Sequence, residues 1–151
     1  MSARLFGVRV GAREKCLRTR GGIPGVVITL LVIALVLPLL FTGNITVECG
    51  EESLNVTASY YGDLVVRYEE IDALEYVEQG VDGRRISGFA SPRLSLGSFR
   101  NDTLGSYTRY TYTKQTACIL LSVGERSIVI GCESEEQTRA VYDALCARIE
   151  Q

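Results

Sequence analysis

The chain has 151 residues and a formal net charge of −2, which is enough length for one modest domain and a short additional segment. It contains no histidine, so a Ser-His-Asp or Cys-His catalytic site cannot be built and the commonest metal ligand is missing. Residues 1–20 alone carry +5, which leaves −7 for the rest, and that charge argues against nucleic-acid binding. We therefore expect a protein that is not an enzyme and has no metal or cofactor.

The N-terminal part of the chain is predicted to be a membrane anchor. A basic tail, residues 1–20, precedes the 19-residue segment Ile23–Phe41, and no charged residue occurs from Gly21 to Val47. As a helix this segment measures about 28 Å, close to the roughly 30 Å hydrocarbon thickness of a bilayer. It is apolar on every side, unlike a helix at the surface of a core. We predict a transmembrane helix within residues 21–43, with the lipid bilayer as its partner.

The charge of the tail predicts the orientation of this helix. Cationic flanks remain in the cytoplasm, so residues 44–151 are expected outside the cell membrane, attached to it by a single pass. A cleaved signal peptide is the alternative, since it also begins with basic residues and an apolar run. The run here exceeds the usual length of about 7–15 residues and no Ala-x-Ala site follows it, which favours a retained anchor.

Residues 44–133 have the composition of strands and turns, rich in Thr, Val, Ile and Tyr with frequent alternation of apolar and polar side chains. Gly62-Asp63 predicts one turn, residues 101–105 predict a hairpin turn, and Gly124-Glu125 predicts a tight one. The stretch Gln79–Pro92, rich in Gly, Arg and Ser, is predicted to be irregular. Seven strands are predicted: 54–60, 64–68, 73–78, 94–100, 106–113, 117–123 and 126–132.

The last segment changes its period and predicts a helix over residues 134–150. Ser134 followed by Gln137 forms a capping-box pattern at its start. Apolar side chains then recur every three or four residues, from Val141 to Ile149. This apolar stripe needs a surface to pack on, and the strands supply one. The expected fold is therefore mainly β with one C-terminal amphipathic helix that closes the open end of a barrel or sandwich.

Several short runs resemble the bacterial pleckstrin-homology-like domains. They are Gly88–Pro92, Leu96–Asn101, Leu104–Tyr107 and Tyr110–Tyr112. The resemblance covers roughly residues 50–150 and implies a seven-stranded, strongly bent sheet capped by a C-terminal helix, with no catalytic activity and no assigned ligand. Gly88, Gly97 and Gly105 fall where a small sheet must bend or turn, although ordinary turn glycines would give the same pattern.

The middle of the domain is basic. Residues 48–78 carry a net −8, whereas residues 79–114 carry a net +4. A basic surface can face an acidic partner or phosphate headgroups, or it can simply be solvated and neutralise the acidic strands. The first hypothesis is a protein or peptide interaction or scaffolding module; the alternative is a lipid-headgroup or small-ligand sensor that uses the basic region 84–109. The candidate partner-binding residues are Arg84, Arg85, Arg93, Arg100 and Arg109.

The acidic and cysteine side chains give weaker signals. Three acids lie within residues 69–72, and such a cluster is usually a solvated edge rather than a cation site. Cys16 lies in the basic tail, where palmitoylation competes with a plain thiol. Four further cysteines, an even number, are compatible with disulfides outside the cell, but two of them occupy apolar faces that suit free thiols. Cys118 lies opposite the apolar face of its strand and is the least suited to burial. These four are Cys49, Cys118, Cys132 and Cys146.

Overall fold

The computed structural model describes residues 23–150, and the side chains of residues 25–150. The predicted basic tail and Cys16 lie outside this range. The first element, α1, is a helix over Ile23–Phe41 with Pro38 inside its last turn. Over the residues whose side chains are described, no helix is long and apolar enough to cross a membrane.

Within the described residues, nine strands and one further helix follow α1. The three-stranded sheet is built from β1 (Ile45–Cys49), β2 (Ser53–Ala58) and β3 (Tyr61–Arg67). The six-stranded sheet is built from β4 (Ala73–Val77), β5 (Arg84–Ala90), β6 (Leu94–Asn101), β7 (Gly105–Tyr112), β8 (Cys118–Val123) and β9 (Arg126–Ile130). A single 3-10 turn, Tyr68–Glu70, joins the two sheets, and the helix α2 (Glu135–Ile149) ends the domain. The predicted fold class, mainly β with a C-terminal helix, is confirmed.

Sequential hairpins determine most of the topology. The first sheet has the order β1-β2-β3, and the second has the order β4-β8-β9-β7-β6-β5. Every neighbouring pair is antiparallel except β7 and β9, which run parallel. Since neither sheet closes on itself, β1, β3, β4 and β5 are edge strands within the described part of the chain.

The main core lies between the two sheets and α2. Every strand contributes apolar side chains to it, although β5 contributes only Phe89, and the side chains of Leu54, Leu96, Ile119 and Leu145 are completely buried. The hydroxyl group of Tyr110 reaches across this core and donates a hydrogen bond to the carbonyl oxygen of Gly62 at 3.0 Å. The core therefore joins the three-stranded sheet to one face of the six-stranded sheet, and α2 closes it as predicted for a barrel or sandwich.

A second, smaller core lies on the opposite face of the six-stranded sheet. It consists of Phe99, Tyr107, Cys118 and Val129, with Val81 packed over them. The expectation that Cys118 is poorly suited to burial is wrong, because its side chain is 2% exposed in this second core. The sheet is thus buried on both faces here, so side chains opposite the main core are also shielded from water.

Two strands and one turn differ from the prediction. Neither β1 nor β5 was predicted, so the domain has nine strands rather than seven. The stretch Gln79–Pro92 is therefore not irregular throughout, because β5 occupies its centre. The turn predicted at Gly62-Asp63 is wrong, since both residues lie in β3 and the chain reverses at Ser59-Tyr60, where Tyr60 has φ of 69°. The hairpins β6–β7 and β8–β9 are confirmed.

The start of α2 is confirmed at the predicted residue. Ser134 is its N-cap, and the Ser134 hydroxyl oxygen accepts a hydrogen bond from the backbone N–H of Gln137 at 3.2 Å. Thr138, one turn further on, is completely buried and donates to the carbonyl oxygen of Ser134 at 2.9 Å. The helix packs against β1, β4 and β8, which closes the main core.

Candidate partner-binding surface

The strand β5 forms one free edge of the six-stranded sheet. Six of its seven residues are exposed, and only Phe89 is half-buried. The register between β5 and β6 shifts at Ile86, which makes it the extra residue of a bulge and leaves its side chain 60% exposed. A bulge leaves its extra residue unpaired and bends the strand locally. This strand is therefore the most accessible part of the predicted basic region.

A pair of glycines holds β5 against β6. Gly88 and Gly97 lie opposite each other, with φ of 121° and 129°, values that side chains rarely allow. A Cβ atom added to Gly88 would lie 2.3 Å from the carbonyl oxygen of Leu96, and one added to Gly97 would lie 2.2 Å from that of Ser87. The two backbones therefore approach each other more closely than any other residue would permit.

Three of the five predicted arginines form an exposed group at the end of this hairpin. Arg84 and Arg100 are direct cross-strand partners, so their side chains lie on the same face of the sheet. Arg85 lies next to Arg84 on the opposite face, paired with Phe99. All three are exposed. We call Arg84, Arg85 and Arg100 the basic edge patch.

Arg93 has a different environment, in the connection between β5 and β6. Its Nη2 atom donates to the carboxylate of Glu133 at 2.9 Å and to the side-chain oxygen of Asn44 at 3.1 Å. Its guanidinium group lies 5.6 Å from the centre of the Tyr112 ring, and its Nε atom is buried without a hydrogen-bond partner. Arg93 therefore links Asn44, in the segment that follows α1, to Glu133, in the segment that precedes α2.

Arg109 is half-buried on β7 and belongs to the second core. Its guanidinium group lies 4.3 Å from the centre of the Phe99 ring, donates to the Tyr107 hydroxyl oxygen at 2.9 Å, and also donates to the carbonyl oxygen of Val81. Tyr107 in turn donates to the carbonyl oxygen of Asp82 at 3.2 Å. These bonds fasten the 79–83 loop onto the sheet, so Arg109 has a structural role.

A pocket that no sequence signal indicates lies beside the C-terminal end of α1. It has a volume of about 410 Å³ and contains Phe41, Arg93, Lys114 and Glu133 among its lining residues. These residues are far apart in the chain, and only the fold brings them together. Arg93 and Lys114 are both cationic, so this pocket is a second basic site, in addition to the basic edge patch.

The acidic and cysteine residues have structural surroundings. Arg67 and Glu69 form an exposed ion pair at 3.0 Å, and the carboxylate of Asp72 accepts a hydrogen bond from the backbone N–H of Gly124 at 2.6 Å. Within residues 25–150, no group of three or more acids or cysteines could hold a metal ion. The four described cysteines are free thiols, and burial raises the pKa of Cys118 and Cys132.

Comparison with known proteins agrees with the fold. A family model of the bacterial PH domain matches residues 45–142, which is more than half of the chain. The chain therefore belongs to the bacterial PH domain family, and the resemblance inferred from the short runs is confirmed. Searches of curated proteins and of solved structures gave no match. Domains of the PH-like class are generally non-enzymatic, and a non-catalytic interaction module fits such a domain.

Proposed function

We propose that this protein is a membrane-anchored interaction module that binds a protein or peptide partner at the outer face of a bacterial cell membrane. The observation that carries the proposal is the exposed edge strand β5 with the basic edge patch at its end. An edge strand offers unpaired backbone N–H and C=O groups to an extended segment of another chain. Three arginines beside it favour a partner segment that carries acidic residues.

Membrane attachment in this proposal is supported by the properties of α1. Its large apolar side chains are exposed, with Val26, Leu30 and Leu35 at 58%, 59% and 66%. Such a surface is unfavourable in water at roughly 25 cal/mol for each Å². The proposed span is residues 21–43, which include the whole of α1. Carbonate extraction of native membranes tests attachment, and protease added outside intact cells tests orientation; a soluble chain, or a protected C-terminal half, would refute this part.

The partner-binding part is tested by reversing the charge of the patch. In the full chain purified from native membranes, Arg84→Glu with Arg85→Glu should remove a co-purified partner, and the loss should be greatest at low salt because exposed charges are screened. Arg126→Glu, the same change at an exposed position on β9, is the matched control and should retain the partner. Arg93→Glu belongs in a separate variant, since it also breaks the ion pair with Glu133. An unchanged set of partners in both the Arg84→Glu, Arg85→Glu variant and the Arg93→Glu variant would contradict the proposal.

A second candidate function, a sensor of lipid headgroups or small anionic ligands, uses the same basic region. The observation in its favour is that Arg93 lies in a pocket together with Phe41, the last residue of α1. If α1 lies in the bilayer, this pocket is at headgroup level. Mass spectrometry of the detergent-solubilised chain under native conditions tests the candidate. Retention of an anionic phospholipid that Arg93→Gln loses would support it, and equal retention of anionic and zwitterionic lipids would refute it.

A further inference from the structure

Two neighbouring cavities form one elongated groove beside β1. The pocket near Phe41, of about 410 Å³, and a cavity of about 630 Å³ between β1 and α2 share the lining residues Arg93, Tyr112 and Glu133. Residues 44–47, at the start of β1, form one wall of the larger cavity. The other wall includes Ala140 and Val141 of α2. We call the combined space the β1–α2 groove. Each of the two cavities, at about 410 and 630 Å³, falls in the range of about 300–1,000 Å³ that is usual for binding sites.

The backbone of β1 presents hydrogen-bonding groups to this groove. On the side away from β2, the hydroxyl group of Tyr112 accepts from the N–H of Ile45 at 2.9 Å and donates to its carbonyl oxygen at 3.4 Å. In an antiparallel ladder, the backbone N–H and C=O groups of every second residue point to the same side of the strand. The N–H and C=O groups of Val47 therefore also point away from β2, as those of Ile45 do. Among the described residues, none forms a hydrogen bond with these groups of Val47 outside the ladder. The edge therefore has free backbone groups at Val47, whereas those of Ile45 are bonded to Tyr112, and the larger cavity lies beside both residues.

The end of the groove near α1 is positively charged. Arg93 and Lys114 line it together with a single acid, Glu133. The Nη2 atom of Arg93 donates hydrogen bonds to Glu133 and Asn44, whereas its Nε atom is buried and has no hydrogen-bond partner. Lys114 is exposed and forms no ion pair with any described residue. The buried Nε atom is out of reach of a ligand, but a carboxylate placed here would pair with Lys114 and be attracted by the guanidinium group of Arg93, whose side chain is 35% exposed.

We propose that the β1–α2 groove binds an extended protein segment that pairs with β1 and places a carboxylate against Arg93 and Lys114. The half-buried Val141 and the neighbouring Ala140 give this segment an apolar wall, while β1 gives it a register. The inference rests on the proposed interaction function and names a second surface for it, separate from the basic edge patch. A phospholipid headgroup at the same cations is the competing occupant, and the test below distinguishes the two.

The probe is a displayed library of random peptides of about seven residues, the length of a typical strand, selected on the full chain in detergent. Peptides enriched by the unmodified protein should carry Asp or Glu and should lack Pro, which cannot donate to a ladder. Ala140→Trp fills the groove from an exposed position on α2 and should lower binding of a selected peptide about tenfold or more. Lys114→Glu should shift the selected peptides toward Lys and Arg.

Controls separate this inference from the function it rests on. Arg126→Glu, outside the groove, should leave the selection unchanged, and all variants should keep the thermal unfolding midpoint of the unmodified chain. If Arg84→Glu with Arg85→Glu abolishes peptide binding while Ala140→Trp has no effect, the proposed function stands and the groove proposal fails. The groove proposal also fails if no acidic peptides are enriched, or if the unmodified chain retains an anionic phospholipid that Lys114→Glu loses.

Discussion

The sharpest prediction concerns the glycine pair that joins β5 to β6. Replacing Gly88 with Ala puts a Cβ atom 2.5 Å from the Cα of Gly97 and forces a side chain onto a φ of 121°. The unusual φ alone costs about 1–3 kcal/mol, and backbone shifts that relieve the overlap add about 1–3 kcal/mol. We therefore expect Gly88→Ala to lower the free energy of unfolding by about 2–6 kcal/mol, a large part of the 5–15 kcal/mol that is typical of a domain.

Two other glycines provide matched controls. Gly105 has φ of 67° but nothing within 4 Å of an added Cβ, so Gly105→Ala should cost only about 1–2 kcal/mol. Gly62 has neither a positive φ nor a close neighbour, so Gly62→Ala should change stability by no more than about 1 kcal/mol. The assay is denaturant unfolding of the full chain in detergent, followed by tyrosine fluorescence because the chain has no tryptophan. Equal losses for Gly88→Ala and Gly105→Ala would refute the close approach of the two strands.

Three further predictions concern α2, the main core and the thiols. Ser134→Ala should cost about 1 kcal/mol in denaturant unfolding, because it removes the oxygen that accepts from the N–H of Gln137, and an unchanged midpoint would contradict the cap. Burial raises the pKa of Tyr110 from 10.0 to about 12. The neutral Tyr110 side chain therefore contributes fully to the stability of the fold below pH 10, and this contribution is lost as the pH rises to about 12. Over this pH range, the free energy of unfolding should fall less steeply in Tyr110→Phe than in the unmodified chain. Identical slopes in the two proteins would contradict the prediction. Because burial raises the pKa of Cys118 and Cys132, an alkylating reagent at neutral pH should label both slowly until denaturant is added, as mass spectrometry can show.

The strands that could be predicted are those whose pattern is local. In the hairpin β8–β9, Ile119 and Leu121 alternate with more exposed residues and a Gly-Glu turn follows, so the sequence alone locates both strands. The strand β5 has no such pattern, because it is exposed on both faces and is held by Gly88 opposite Gly97. The structure of β5 depends on its pairing with β6, and the sequence of β5 alone does not indicate that pairing.

The second core was missed for a related reason. The strand pattern predicts one buried face, so Cys118 is expected on the face of its strand opposite the main core. The loop that carries Val81 covers that face, and hydrogen bonds from Tyr107 and Arg109 hold the loop in place. A loop's position over a sheet is set by such long-range contacts, which periodicity does not report.

The candidate site shows the same limit. Five arginines between residues 84 and 109 predict one basic surface, yet the fold uses Arg93 and Arg109 for internal contacts. The partners of Arg93, Asn44 and Glu133, lie 49 and 40 residues away in the chain. Neither contact has a signal in the local sequence. The basic edge patch is the exposed part of the predicted surface, and a role in binding stays a prediction for all five arginines.

This division of the arginines determines how binding experiments on the domain should be interpreted. Arg109 is stacked on Phe99 and donates to the Val81 carbonyl oxygen, so replacing it releases the 79–83 loop before it changes any surface charge. A lysine there keeps the charge but cannot reproduce the planar fork that contacts both groups. Lost binding in an Arg109 variant would therefore report on folding. Lost binding in Arg84→Glu, at an exposed edge, would report on the partner, because that side chain forms no hydrogen bond or ion pair with the described residues.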